Sequence, residues 1–268
     1  MPIVRFTVGR RVFAPSWAMT ALTVALCIVF VRLGEWQWHK AERRQAEWSA
    51  FARGADRAVE LGSRGTADVP RFQRVAVAGR FDPEHQFLLD NRTENDQAGY
   101  EVLTPLELAN GRVLLVDRGW VPFTGYRSRL PDIRLAAEDP IRLTGRIDVL
   151  PVGGLSFGRM APGGGPQWPK VTSYPEMAQL ASALAAARPG VRLEPRILLL
   201  DPAAPHGYVR DWQPPGMSPA RHMSYAAQWW FFAATLIVIW AVLSTQKPRA
   251  DARAGTLERQ GPRERGIH

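Results

Sequence analysis

A net charge of +9 in a chain of 268 residues would ordinarily direct attention to nucleic acid. The basic residues are scattered over flanks and strand-like runs rather than gathered into one patch, which excludes nucleic acid as the expected partner and leaves anionic lipid headgroups as the simpler one. A single cysteine, Cys27, excludes an internal disulfide, so any domain on the outer side of a membrane must rest on its own apolar core.

In chain order, residues 1–11 read as a short basic tail. Residues 12–31 carry no charged side chain between Arg11 and Arg32. At about 1.5 Å per residue they cover about 30 Å, one hydrocarbon core. The apolar run is too long for a signal-peptide core, and no small-residue cleavage site follows, so an uncleaved anchor is expected. Residues 35–53 are charged and aromatic at helical spacing and read as a continuation of that helix beyond the membrane. A linker over residues 54–70 precedes a β-rich core at 72–212. Its strand-like runs are Phe72 to Phe81, Gln86 to Asn91, Tyr100 to Leu108, Arg112 to Val121, Ile141 to Val149 and Arg196 to Leu200. Asn110-Gly111 predicts a tight hairpin with positive φ at both central residues. Residues 153–169 read as a long Gly/Pro loop, and Tyr174 to Ala187 as the domain's helix, stopped by Arg188-Pro189-Gly190.

The second span is expected at 223–246, uncharged between His222 and Lys247, and 247–268 is a tail with Lys247, Arg249, Arg253, Arg259, Arg263 and Arg265. The basic tail places both termini in the cytoplasm and the domain, 32–222, in the periplasm. The expected fold class is therefore an α+β membrane protein, with two transmembrane helices flanking a mainly antiparallel β domain that carries one helix. A short N-terminal segment favours a bacterial inner (plasma) membrane over a mitochondrial one.

Enzyme chemistry finds little support. Gly154-Leu155-Ser156-Phe157-Gly158 matches a nucleophile elbow, but Arg159-Met160-Ala161-Pro162-Gly163-Gly164-Gly165 cannot supply the helix that must follow, which argues against a periplasmic hydrolase. His39, His85, His206 and His268 have no i,i+4 partner or neighbouring cysteine, so no zinc or copper site is specified. No phosphate-cradling or dinucleotide-binding glycine loop is present. The chain is not expected to be an enzyme.

The informative positions lie where the two spans leave the membrane. His222, Tyr225, Ala226, Trp229 and Ala233 share a helical face. Ala14, Ala18, Ala21 and Ala25 form a small-residue stripe on the first span, continuing through Val29 and Arg32 to Trp36. If that stripe packs against the second span, Trp36 and His222 meet at the outer boundary. The aromatic residues alone would equally serve as an interfacial belt.

Leu33-Gly34-Glu35-Trp36-Gln37, Phe72-Gln73-Arg74-Val75 with Gly79-Arg80-Phe81, Gly99-Tyr100-Glu101-Val102-Leu103-Thr104-Pro105-Leu106, Val116-Asp117-Arg118-Gly119-Trp120-Val121-Pro122 and His222-Met223-Ser224-Tyr225-Ala226 with Trp229 follow one another between the terminal helices. In that order they resemble the surfeit locus protein 1 family of cytochrome c oxidase assembly factors. Departures are Lys40, Arg43 and Arg44 after the first motif and Ala220-Arg221 before the histidine. The resemblance implies help in maturing cytochrome c oxidase subunit I, with haem a synthase as a second candidate partner. It also implies transient binding of haem a with His222 as axial iron ligand; given that, Trp36, Tyr225 and Trp229 at the outer helix ends are the expected porphyrin contacts. Arg221, Arg32 or Lys40 would then meet the propionates. The alternative it leaves open is a scaffold that holds subunit I without binding haem.

Overall fold

The computed structural model describes residues 6–8, 11–54, 57–62, 65–135, 140–151, 162–163 and 165–246. The Gly154–Gly158 elbow, His268 and the basic tail 247–268 lie outside them, as does most of the Gly/Pro loop. The chain divides into two compact units, one of residues 1–44 with 217–268 and the other of residues 45–216.

In the first unit, strands β1 (Phe6–Val8) and β2 (Arg11–Phe13) lead into the long helix α1 (Trp17–Arg53). Ser16 starts α1, its hydroxyl accepting from Met19 N at 3.3 Å. The helix has residues 17–44 in the first unit and 45–53 in the second. Its apolar stretch, like that of the helix Pro219–Leu243, is long and apolar enough to cross a membrane. The strand at Arg11–Phe13 occupies the start of the span expected from hydropathy, so the helical rod begins later, at Trp17.

The second unit contains the short strand β3 (Val59–Glu60), then β4 (Arg74–Phe81), β5 (Phe87–Glu94), β6 (Gln97–Leu108), β7 (Arg112–Pro122), β8 (Ile141–Asp148), β9 (Lys170–Thr172), helix α2 (Met177–Ala187) and β10 (Arg192–Leu200). The sheet order is β3-β4-β8-β10-β7-β6-β5-β9, and β4 also pairs with β6. That extra pairing, Gly79 with Leu108 through Phe81 with Leu106, closes β4-β8-β10-β7-β6 into a barrel. Most pairings are antiparallel; β10 runs parallel to β7, the crossover between strands that α2 makes possible.

Side chains alternate across the barrel wall, as a period of two requires. Val75, Val77, Leu106, Leu114, Val116, Leu198 and Leu200 fill the interior. Phe87, Leu103, Val113, Leu115, Ile197 and Leu199 face outward and are covered by Leu180 and Leu184 of α2. Both faces of β7 and β10 are thus buried, which explains their near-continuous apolar runs. Helix α2 starts at Met177 rather than Tyr174: Glu176 is its N-cap, and its backbone N–H is held by Gln179 Oε1 at 2.9 Å.

The Asn110-Gly111 turn is a hairpin between β6 and β7, but of a different type from the one expected. Only Gly111 has positive φ, at 76°, and its N–H donates to Leu108 O at 2.9 Å. This is the longer loop in which a single left-handed glycine ends the turn, with Asn110 Oδ1 accepting from Arg112 N at 3.1 Å.

Back in the first unit, helix α3 (Pro219–Leu243) begins before the apolar run because Ser218 caps it, with Pro219 at its first position. It ends in β11 (Thr245–Gln246), which pairs with β2 and completes a three-stranded sheet with β1.

Candidate functional site

Helices α1 and α3 run antiparallel, meeting along one seam. Trp240 Nε1 donates to Thr20 Oγ1 at 3.1 Å, Cys27 Sγ lies 3.7 Å from Ala233 O, and Phe30 stacks on Trp229 with ring centroids 5.8 Å apart. Trp230 lies against Gly34, and His222 Nδ1 is 2.8 Å from Gln37 Oε1. On α1 the seam is Thr20, Thr23, Cys27, Phe30, Gly34, Gln37 and Ala41, alternately three and four residues apart. This is the spacing that keeps one stripe facing a partner helix.

Apart from Ala14, whose N–H donates to Ser244 O where α3 ends, the alanine stripe does not face α3, so the condition set for Trp36 to meet His222 is not met. Ala18, Ala21 and Ala25 are exposed in this unit, as are Val29, Arg32 and Trp36 further along the same face. The reason lies in what α3 presents. Its bulky indoles need small neighbours, and an indole N–H in an apolar setting needs an acceptor. Gly34 gives Trp230 its space, since a Cβ there would come within 2.3 Å of the indole nitrogen, and Thr20 gives Trp240 its acceptor. An alanine face offers no acceptor.

His222 sits on the first turns of α3, half-buried, and the buried Ala226 and Ala233 share its side of the helix. The contact joins Nδ1 to an amide oxygen, an acceptor, and leaves Nε2 on the other edge of the ring. Of the other residues singled out from sequence, Trp229 is half-buried between Phe30 and Phe232, the latter with its ring centroid at 5.8 Å. Trp36 is 52% exposed, with Lys40 Nζ 5.5 Å from its ring, and Tyr225 is 41% exposed. The link from α1 to His222 thus runs through Gln37 and not through its neighbour Trp36. Among the expected propionate partners, Arg32 pairs with Glu35 at 3.1 Å and Arg221 is exposed.

Gln37 was not singled out from sequence, although it closes the Leu33–Gln37 motif. The signal was the three-and-four spacing that joins it to Gly34 and Ala41, the two fully inward positions on either side of it.

In the second unit the His85 imidazole is also held. His85 Nδ1 is 2.8 Å from Asp82 Oδ2, and Arg188 donates to the same oxygen at 2.8 Å. Burial pushes the Asp82 carboxyl upward, but the hydrogen bonds from His85 and Arg188 outweigh it and hold it below the ordinary range. The cleft beside His85, about 880 Å³, is lined by Trp168, Lys170, Gln179, Ser182 and several alanines of α2. Lys170, however, is engaged by the carbonyls of Gly163 and Gly165. Among the described residues no group of His, Cys, Asp or Glu could hold a metal ion by itself.

Two motif residues of the domain, Arg118 and Asp117, are engaged inside the fold. Arg118 is buried, donating to His206 O at 2.7 Å and Gln86 Oε1 at 3.0 Å and packing on Tyr208. Burial lowers the pKa of its guanidinium. Asp117, fully inside, accepts from Gly119 N at 3.0 Å. Burial, and next the nearby Glu101, push its carboxyl well above the usual carboxylate range.

The model of the SURF1 family matches residues 24–234, from the middle of the first apolar helix to the middle of the second. The chain belongs to the SURF1 family. Uncharacterized SURF1-like proteins of Mycobacterium bovis and Mycobacterium tuberculosis are 32% identical to it over 145 residues. That match covers 50% of this chain and spans only about half the length of these relatives, 52%.

Proposed function

We propose that this SURF1 family member assists assembly of a haem-copper cytochrome c oxidase by holding haem a as cargo at His222 and passing it to subunit I. The observation that carries the reading is the His222 imidazole: half-buried on an apolar helix pair, with Nδ1 2.8 Å from Gln37 Oε1 and, among the described residues, no partner found at Nε2. A neutral imidazole with its second nitrogen held is the ordinary arrangement of a metal-ligating histidine. Flat aromatic surfaces at Trp36 and Tyr225 and the cations Lys40 and Arg221 stand at the same end of the helix pair. They suit a porphyrin face and its propionates, so the residues present fit the group. Haem a would supply its redox and oxygen chemistry only in the oxidase; here His222 would hold the iron through a coordinate bond that is given up again on transfer, and the covalent structure of the haem would be left unchanged.

In this reading both termini are cytoplasmic, the domain is periplasmic, and the His222 end of the helix pair is the outer one. His85 and His39, each with Nδ1 against a carboxylate, are competing imidazoles, and His85→Ala and His39→Ala provide the controls. Protein purified from cells making haem a should carry a Soret band that is lost in His222→Ala and kept in His85→Ala and His39→Ala, with all three variants melting like the parent. A Soret band that survives His222→Ala sinks the site assignment. A colourless parent that still co-purifies with subunit I would favour the scaffold reading instead.

A further inference from the structure

We infer that Gln37 is the positioning residue of the His222 site. It fixes the imidazole as the Nδ1–H tautomer and, being a neutral acceptor, keeps His222 a ligand weak enough to release its cargo. The second half rests on the haem reading above; the first does not.

The argument begins with what surrounds the imidazole. Gln37 is half-buried on the α1 seam between the inward-facing Gly34 and Ala41, and its Oε1 lies 2.8 Å from His222 Nδ1. This stretch of α1 also carries two carboxylates, and either would be a stronger acceptor. Both are engaged elsewhere: Glu35 pairs with Arg32 at 3.1 Å, and Glu42 accepts from Trp38 Nε1 at 2.9 Å and meets His39 Nδ1 at 3.0 Å. The partner presented to His222 is thus the amide.

The difference matters chemically. A carboxylate partner draws the Nδ1 proton toward itself, loads electron density onto Nε2 and strengthens its bond to a metal. An amide oxygen orients the ring and selects the tautomer without that added basicity. At a given site the first arrangement favours retention, whereas a carrier that must give its cargo up is better served by the second. The same bond ties α1 to α3 at the site, so the orientation of His222 depends on the pairing of the helices as well as on its own rotamer.

Two measurements test the two halves. In the cargo-free full chain in nanodiscs, with isotope-labelled histidine, NMR should show His222 as the Nδ1–H tautomer. Gln37→Glu should keep that tautomer, and Gln37→Leu should give a mixture. An unchanged tautomer in Gln37→Leu overturns the positioning role.

With detergent-solubilised haem a as the probe, transfer to apomyoglobin should slow about tenfold in Gln37→Glu and quicken about tenfold in Gln37→Leu, within the range known for outer-shell partners of metal-bound histidine. The iron midpoint potential should fall in Gln37→Glu. Transfer rates and potentials equal to the parent's in both variants overturn the release role. A parent that takes up no haem a overturns the haem reading and the release role together, while the tautomer result still decides the positioning role.

Discussion

Asp117 shows how a residue inside a family motif can serve the fold. Its carboxyl is buried, accepts one backbone hydrogen bond from Gly119, and is pushed well above the usual carboxylate range first by burial and then by Glu101. A folded-state pKa above the unfolded one means that the folded state holds the proton more tightly. The stability this confers is complete below the ordinary carboxylate pKa of about 3.9 and is lost as pH rises through the raised value. Asp117→Asn keeps an oxygen for Gly119 and removes the charge. It should therefore be more stable than the parent at pH 7.5 by about 1–3 kcal/mol, the cost of a buried polar group left without full compensation. Near pH 4 the two should converge. Thermal melts in detergent at both values check this; a variant less stable than the parent at pH 7.5 would show that Asp117 is ionised and compensated. The motif's position in sequence gave no hint of this, because a charged pair between apolar runs reads the same whether it faces solvent or is buried beneath Tyr208.

At the scale of elements, the long strands β4–β8 and β10 are legible because each run is bounded by Gly, Pro or Asn, and α2 because it is short, apolar and punctuated at both ends. The two- and three-residue strands β1, β2, β3, β9 and β11 are too short to carry a period, and two longer-range features are hidden as well. The barrel closure depends on β6 pairing with both β4 and β5, a long-range choice that no local period encodes. The face of α1 that meets α3 is the second: small residues point to the alanine stripe, but the bulk of Trp230 and the N–H of Trp240 decide it. The seam yields a prediction. Ala233→Cys should cross-link to the native Cys27 under mild oxidation, since Cys27 Sγ already lies 3.7 Å from the backbone oxygen of residue 233. Gly34→Val, which drives a side chain into Trp230, should reduce that cross-link severalfold, whereas Ala21→Leu on the exposed stripe should leave it intact. Equal yields in all three would mean that Gly34 does not set the approach of the helices.

For the whole molecule, the proposed site has meaning only if its end of the helix pair faces outward. The argument is electrostatic: Lys247, Arg249, Arg253, Arg259, Arg263 and Arg265 follow α3, and Lys and Arg close to a span are retained on the cytoplasmic side. The opposing cluster Arg32, Lys40, Arg43 and Arg44 precedes a domain too long for its charge to prevent export. Cys27, the chain's only cysteine, allows a direct test in which Cys27→Ser serves as background and single cysteines are placed at Asp96, on the exposed β5–β6 turn, and at Ala252 in the tail. In intact cells a membrane-impermeant maleimide that crosses the outer membrane should label Asp96→Cys and spare Ala252→Cys until the inner membrane is opened. The reverse pattern would put His222 and Gln37 at the cytoplasmic surface. A haem held there could still reach the membrane, but it would meet subunit I from the opposite face, and the route of delivery proposed for this family member would have to be redrawn.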